Sequence, residues 1–171
     1  MKKSSNVRDI VFMAMYAALY VVLDYLHTAY GAFKMPQGGS LGVGTIALLL
    51  ASYHLGWKKG TIVAVVTVLV GFAYGSVTYY GIVSFLLDYL LGYAVYGLAC
   101  LFPNYKLFYS GIVATTLMRF VFSTISGMIV WQTPLWGSMV YQFTYLGPTL
   151  LLDIIMVPLL FKALQPVINK K

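Results

Sequence analysis

The sequence predicts an all-α integral membrane protein with six transmembrane helices and both termini in the cytoplasm. Of the 171 residues, 61% are hydrophobic and only 9% are charged, whereas a soluble domain carries about 25% charged residues. A transmembrane helix needs about 20 mostly apolar residues, so this length accommodates about six of them. We expect a single transmembrane domain over residues 1–171.

The turns between apolar segments predict where each helix lies. The first segment follows the charged stretch MKKSSNVRDI, but it has no small-residue cleavage site, so we interpret it as a membrane span and not as a signal peptide. Glycine-rich and polar stretches such as GWKKG, and the pair Pro103 and Asn104, separate the later segments. The predicted helices cover approximately residues 9–28, 41–56, 60–75, 81–102, 107–130 and 139–164.

The distribution of basic residues predicts the orientation of the chain. In a six-helix arrangement, one side carries Lys2, Lys3, Arg8, Lys58, Lys59, Lys106, Lys162, Lys170 and Lys171. The loops of the other side contain only Lys34. The positive-inside rule assigns the basic side to the cytoplasm. The outer loops, including GAFKMPQGGS and WQTPLWGSMVY, are rich in aromatic residues and glycine. They fit either an interfacial aromatic belt or a binding pocket for a planar ligand, open to the outside.

Four charged residues, Asp24, Asp88, Arg119 and Asp153, lie within or near the apolar segments. A charge near the bilayer centre costs roughly 3 kcal/mol on insertion scales, so such residues usually face the bundle interior. Arg119 is the natural partner for Asp88. This arrangement is either a structural salt bridge with interhelical hydrogen bonds, or a polar pocket in which Asp88 balances a ligand cation and Arg119 orients Asp88.

Polar residues recur at helical spacing around these charges. The predicted inward-facing stripes are Ser84 and Asp88 on helix 4; Thr115, Arg119, Ser123 and Ser126 on helix 5; and Gln142, Tyr145, Thr149 and Asp153 on helix 6. On helix 1, Ala14 and Ala18 are one turn apart. This small-xxx-small spacing lets another helix approach closely, and it is equally consistent with packing inside the protein.

Several function classes lack their signatures in this sequence. There is no Walker A sequence, no HExxH motif and no set of residues typical of a catalytic triad. Cys100 is the lone cysteine, and His27 and His54 lie near helix ends, so we predict no metal site, no cofactor and no enzymatic activity. The basic residues gather at segment ends, which is typical of membrane topology and not of nucleic-acid binding.

Three stretches resemble a known family: FKMPQGGS after helix 1, LLDYLLGYAVYGLACLF on helix 4 and SGMIVW at the end of helix 5. With its size and six predicted helices, the chain is similar to the substrate-binding S components of energy-coupling factor (ECF) vitamin transporters. The closest similarity is to the thiamine-binding branch. The resemblance implies a non-enzymatic membrane subunit that captures a vitamin from outside. Its implied partners are a transmembrane coupling protein and two ATPase subunits, which drive import.

The resemblance also implies residue roles. Ala14 and Ala18 match the alanine motif that contacts the coupling protein. Asp88 and Tyr89 match an acidic residue and a tyrosine that face the cationic ring of thiamine, although glutamate is usual at the first position. Trp131 matches a tryptophan that stacks on the ligand, and Trp136 is a weaker candidate. The complete set of expected substrate-binding residues is Asp88, Tyr89, Trp131, Tyr141, Arg119, Ser123, Gln37 and Ser84.

Two positions depart from the family pattern. Ser123 stands where the family has a histidine, and Leu146 lies near the position of a family asparagine. Because both family residues hydrogen-bond the pyrimidine end of thiamine, the ligand could be thiamine held differently, the precursor hydroxymethylpyrimidine, or another small aromatic vitamin such as pyridoxine. A structural or assembly protein of the membrane, without a ligand, is the alternative from a different functional class.

Overall fold

In a computed structural model that describes residues 3–30, 35–36, 39–106 and 108–168, the chain folds into six helices and one short hairpin. This confirms the predicted all-helical architecture. The helices are α1 (Lys3–Tyr30), α2 (Thr45–Leu55), α3 (Trp57–Tyr74), α4 (Ile82–Leu101), α5 (Ser110–Val130) and α6 (Leu135–Ile168), and the hairpin pairs β1 (Asn104–Tyr105) with β2 (Phe108–Tyr109).

Five of the helices, all except α2, are long and apolar enough to cross a membrane. Helix α2 has 11 residues and is therefore about 16 Å long, too short for a hydrocarbon layer of about 30 Å. Its residues from Thr45 to Ser52 are all buried. The described structure therefore has six helices, as predicted, of which five are long and apolar enough to span a membrane and the sixth, α2, is short and buried.

Helix α6 begins earlier than the sequence predicts. The expected loop WQTPLWGS gives way to helix at Leu135, directly after Pro134. Proline is compatible with a helix start because the first backbone N–H groups have no intrahelical partner. The N–H of Ser138 donates to the carbonyl oxygen of Pro134 at 3.0 Å and closes the first turn. Trp136 therefore lies on a helix and not in a loop.

Contacts between helix ends show which way each helix runs. At one end of the bundle, named here the basic end, Lys59 Nζ at the start of α3 lies 2.6 Å from a carboxylate oxygen of Asp9 near the start of α1. Tyr53, near the end of α2, packs against Tyr109 just before α5, with ring centroids 4.9 Å apart. It also packs against Phe161 toward the end of α6, at 5.9 Å.

The opposite end, named here the cavity end, joins the other set of helix ends. The Tyr74 hydroxyl at the end of α3 donates to Asp24 on α1 at 2.8 Å. The ring of Tyr80, which precedes α4, lies 4.9 Å from that of Trp131, which follows α5. Helices α1, α3 and α5 therefore run from the basic end to the cavity end, and α2, α4 and α6 return.

Helix α4 is irregular along most of its length. It is a π-helix over Phe85–Leu91 and a 3₁₀-helix over Val95–Leu101. A Cβ atom on Gly92 would lie 3.0 Å from the carbonyl oxygen of Leu87, so glycine suits the backbone where the wide turn ends. Wide π turns within helices are frequent at functional sites, and this one contains Asp88.

The interior contains a hydrogen-bonded carboxylate that joins α2 to α6. Asp153 is 0% exposed, and the Thr45 hydroxyl donates to its Oδ2 atom at 2.8 Å. Nearby, the Gly42 N–H donates to the Thr149 hydroxyl at 2.9 Å. The predicted stripe on helix 6 does face inward, because Gln142, Tyr145, Thr149 and Asp153 are all buried. Asp153 itself lies in the core, where its hydrogen bonds hold α2 in place.

Two glycines mark the closest approaches of α4 to its neighbours. A Cβ atom on Gly97 would lie 2.3 Å from the backbone nitrogen of Thr61 in α3. One on Gly111 at the start of α5 would lie 2.0 Å from the carbonyl oxygen of Ala99 in α4. A Cβ atom at either position would force the backbone to move. Glycine avoids this, because membrane helices approach each other so closely only through small residues.

We predict that Gly97→Ala and Gly111→Ala each destabilise the protein by about 1–3 kcal/mol, the usual cost of overpacking. Thermal unfolding of the purified protein in detergent measures this as a lower transition midpoint. The matched control is Gly137→Ala on α6, where the nearest atom to a new Cβ is 3.9 Å away. Equal midpoints for the three variants would show that these helix contacts are not tight.

Candidate functional site

A polar and aromatic cavity opens among the helices at the cavity end. Seven of the eight substrate-binding residues expected from the sequence line it, namely Asp88, Tyr89, Trp131, Tyr141, Arg119, Ser123 and Ser84. The eighth, Gln37, lies outside the described residues, as does Lys34. Trp136, the weaker candidate, is not among the lining residues and is 76% exposed. The structure therefore brings together residues from helices that are distant in the sequence.

Asp88 is held in the wide turn of α4 by hydroxyl groups. The Ser84 hydroxyl, one turn earlier, donates to its Oδ2 atom at 2.9 Å. The Ser126 hydroxyl on α5 donates to the same atom. Asp88 is half-buried and lines the cavity. These two hydroxyls stabilise the carboxylate within an apolar region and fix its position without neutralising its charge.

Asp88 and Arg119, natural partners by sequence, do not form a direct ion pair in the described structure. Within the described ranges, the only side-chain ion pair joins Lys59 to Asp9. On α5, the hydrogen bond to Asp88 comes from Ser126, seven residues beyond Arg119. Hydroxyl groups, and not the guanidinium, therefore contact the Asp88 carboxylate directly.

Arg119 instead packs against aromatic rings. Its guanidinium carbon lies 4.1 Å from the ring centroid of Tyr93 and 5.7 Å from that of Tyr96. Its Nε and Nη1 atoms are buried without a hydrogen-bond acceptor among the residues that the structure describes. A cation over an aromatic face gains about 2 kcal/mol or more when it is desolvated. Arg119 therefore forms the floor of the cavity, stabilised by aromatic rings.

Aromatic side chains form the walls. Trp131 packs edge-on against Tyr80 at the cavity end, with ring centroids 4.9 Å apart. The Tyr89 hydroxyl accepts a hydrogen bond from the backbone N–H of Thr78 at 3.2 Å, which holds its ring against the loop before α4. Several ring faces in one cavity suit a planar ligand, because offset and edge-on ring contacts are favourable.

The loop after α1 completes one wall. Gly39 and Ser40, from the stretch MPQGGS, line the cavity. A Cβ atom on Gly39 would lie 2.7 Å from the ring of Tyr145, so this loop approaches α6 more closely than any larger residue would permit. The Gly39 N–H also donates to the Tyr141 hydroxyl at 3.4 Å. Gly39 and Ser40 are therefore part of the cavity wall.

Sequence reasoning did not assign several other lining residues to the site. They are Asp24, Ser76, Tyr80, Tyr93, Gly127, Gln142 and Tyr145. Gln142 Nε2 donates to the Ser123 carbonyl oxygen at 3.0 Å, and the Tyr145 hydroxyl donates to Gln142 Oε1. The polar stripe on helix 6 contained both residues, and Tyr93 follows Tyr89 by one turn. These signals could have identified them.

Ala14 and Ala18 lie away from the cavity. Both are exposed on the surface of α1, so they do not pack inside this chain. Ala18 also lines an apolar groove near the basic end, formed between α1 and the last turns of α6. The alternative that these alanines serve internal packing is therefore not supported.

The arrangement suits binding and not bond-breaking chemistry. It combines a hydroxyl-held carboxylate, a buried guanidinium and several aromatic faces. The described parts of the chain contain no group of three or more His, Cys, Asp or Glu residues that could hold a metal ion. A planar molecule that carries a positive charge is the ligand class to which these groups are complementary.

Comparisons with known proteins place the chain in a family. The model of the family described as "Thiamine transporter protein (Thia_YuaJ)" matches residues 10–169. The chain is 29% identical to the thiamine transporter ThiT of Bacillus subtilis (strain 168), over 94% of each protein. Its fold matches a solved structure of ThiT from Listeria monocytogenes with a TM-score of 0.72 and 15% identity, over 96% of this chain and 98% of that one. The chain therefore belongs to the thiamine transporter family, whose members are transporters and not enzymes, and it is a multi-pass protein of the cell membrane.

Proposed function

We propose that this protein is the substrate-binding S component of an ECF-type importer and that it captures thiamine from outside the cell. Thiamine consists of an aminopyrimidine joined to a cationic thiazolium ring. The observation that carries the proposal is the position of Asp88, a carboxylate held by two hydroxyls in a cavity whose walls are aromatic. Its negative charge attracts the thiazolium, while Trp131 and Tyr89 offer ring faces to a planar ligand.

The charge distribution supports capture from the outside. The cavity lies at the opposite end of the bundle from Lys59 and the hairpin that carries Lys106. If the basic end faces the cytoplasm, as the positive-inside rule predicts, the cavity faces outward. Both chain termini are then cytoplasmic, because Phe12 and Leu164 line the same groove near the basic end.

Thiamine explains the cavity better than the other candidate vitamins do. Hydroxymethylpyrimidine lacks the permanently charged ring and would leave the Asp88 carboxylate without a countercharge in a low-dielectric site, which is unfavourable. Pyridoxine offers a single ring. Gln142 and Tyr145 supply polar groups beside Ser123, so the cavity retains hydrogen-bonding capacity near the position where the family histidine is replaced.

The exposed alanines on α1 support the partners that the family resemblance implies. Ala14 and Ala18 leave a shallow surface at which a helix of the transmembrane coupling protein can pack closely, and van der Waals packing drives such association in lipid. Two ATPase subunits attached to that protein would then drive release of the vitamin to the cytoplasm. Membership in a family of transporters weighs against the alternative of a ligand-free assembly protein.

We expect Asp88→Asn to weaken thiamine binding on the order of 10- to 100-fold, because an interaction of about 1.5–3 kcal/mol with a charged group is lost. Binding of 3-deazathiamine, in which the thiazolium is replaced by an uncharged ring, should change much less. Isothermal titration of both ligands measures the difference. Asp9→Asn, which removes a carboxylate at the basic end, is the control and should bind normally. Equal losses for the two ligands would mean that Asp88 is purely structural.

We expect Trp131→Ala to weaken ligand binding while the folded protein remains intact. Stacking on an aromatic side chain contributes on the order of 0.5–1.5 kcal/mol beyond the burial of area, so affinity should fall by at least a few-fold. Trp131→Phe should recover part of the loss, and Trp136→Ala should have no effect because Trp136 does not line the cavity. An unchanged affinity in Trp131→Ala, measured by calorimetry, would remove Trp131 from the site.

We expect Ala14→Trp and Ala18→Trp to keep thiamine affinity in detergent but to abolish uptake and co-purification with an ATPase-bearing complex. A bulky side chain holds the partner helix away and forfeits the close packing. Leu151→Trp, at another exposed position on α6, is the matched control and should still assemble. Variants that lose ligand binding and still assemble would show that the partner surface lies elsewhere.

A further inference from the structure

A second carboxylate lines the same cavity and has no part in the function proposed above. Asp24 lies on α1, whereas Asp88 lies on α4. Only 7% of the residue is exposed, and Asp24 is among the residues that line the cavity. A carboxylate within a membrane span is unfavourable unless it has partners, so its hydrogen bonds indicate what it does.

Asp24 is held through one oxygen only. The Tyr74 hydroxyl donates to Oδ2 at 2.8 Å, and the Ser76 hydroxyl donates to the same atom. No residue in the described ranges donates to Oδ1. Tyr74 and Ser76 come from the end of α3 and the segment that follows it. The carboxylate is therefore fixed in position, with one oxygen left to accept a hydrogen bond within a cavity that Asp24 lines.

The two carboxylates of the cavity are anchored independently. Hydroxyls on α4 and α5 hold Asp88, whereas hydroxyls from α3 and the following segment hold Asp24. With Arg119, the charged residues of the lining carry a formal sum of −1, from two carboxylates and one guanidinium. A ligand with a single cationic end satisfies Asp88 alone, so a second hydrogen-bond donor is needed to pair with Asp24.

We propose that Asp24 Oδ1 accepts a hydrogen bond from an amino group at the end of the ligand remote from its cationic ring. This inference rests on the proposed function, because an aminopyrimidine joined to a thiazolium carries both features. Asp24 is then a specificity-determining residue that selects ligands with an amino group on the second ring. A ligand with an oxygen at that position places one hydrogen-bond acceptor against another, the Asp24 carboxylate, so no hydrogen bond forms. Such a ligand is rejected, because a site built to hydrogen-bond one group discriminates against its replacement.

The test compares thiamine with oxythiamine, in which oxygen replaces the pyrimidine amino group and the thiazolium is unchanged. The unmodified protein should bind thiamine at least about tenfold more tightly than oxythiamine. In Asp24→Asn, the amide oxygen should turn toward the Tyr74 and Ser76 hydroxyls, which leaves its NH₂ group to meet the ligand. The ratio of the two dissociation constants should then fall by at least about tenfold, toward or beyond equality. Asp88→Asn should weaken both ligands equally, since both carry the thiazolium.

The outcomes separate this proposal from the proposed function. If the unmodified protein binds neither ligand, the proposed function fails. If it binds both ligands equally, the role of Asp24 is overturned, and this comparison needs no variant to fold. Equal loss of both ligands in Asp24→Asn would make Asp24 structural, and an unchanged ratio would also overturn the proposal. Asp9→Asn, at the basic end, should leave both affinities and their ratio unchanged.

Discussion

The arrangement of this protein depends on one constraint: charged groups inside a membrane must find their partners within the protein. The bilayer core offers no water to stabilise them. Four such groups, Asp24, Asp88, Arg119 and Asp153, lie on α1, α4, α5 and α6, respectively. Hydroxyl groups hold the three carboxylates, and aromatic rings cover the guanidinium. Each of these charged residues has at least one partner on a helix other than its own. The contacts that stabilise the charges therefore also fix the helices around a polar cavity.

Meeting that constraint shapes the backbone as well. The wide π turn of α4 contains Asp88, and Gly92 follows the end of that turn. A Cβ atom on Gly92 would lie 3.6 Å from Arg119 Cγ. Helix α2 is too short to cross the membrane and lies inside, where Thr45 reaches the Asp153 carboxylate. Asp153 does not line the cavity, and its hydrogen bond with Thr45 stabilises the fold.

The sequence alone predicted the helical class and the inward polar stripes, because hydropathy and helical spacing report directly on burial. Together with the family resemblance, it identified seven of the sixteen described residues that line the cavity. It did not predict the π turn of α4 that contains Asp88, nor that the guanidinium of Arg119 packs against the rings of Tyr93 and Tyr96. The packing of Arg119 depends on contacts between helices, which residue spacing within one helix does not report. The sequence identified Asp24 as a buried charge but not as part of the site. Its hydrogen-bond donors, Tyr74 and Ser76, are some 50 residues away in the sequence, so spacing along one helix does not reveal them.

The central claim is that the cavity holds a cationic aromatic vitamin against Asp88. The most direct test is mass spectrometry of small molecules released by denaturing the purified protein, expressed in cells supplied with thiamine, with Asp88→Asn prepared in parallel. The account predicts that thiamine is released in near-stoichiometric amount from the unmodified protein and in much smaller amount from the variant. Release of another molecule, or of no aromatic molecule at all, from a folded unmodified protein would contradict it.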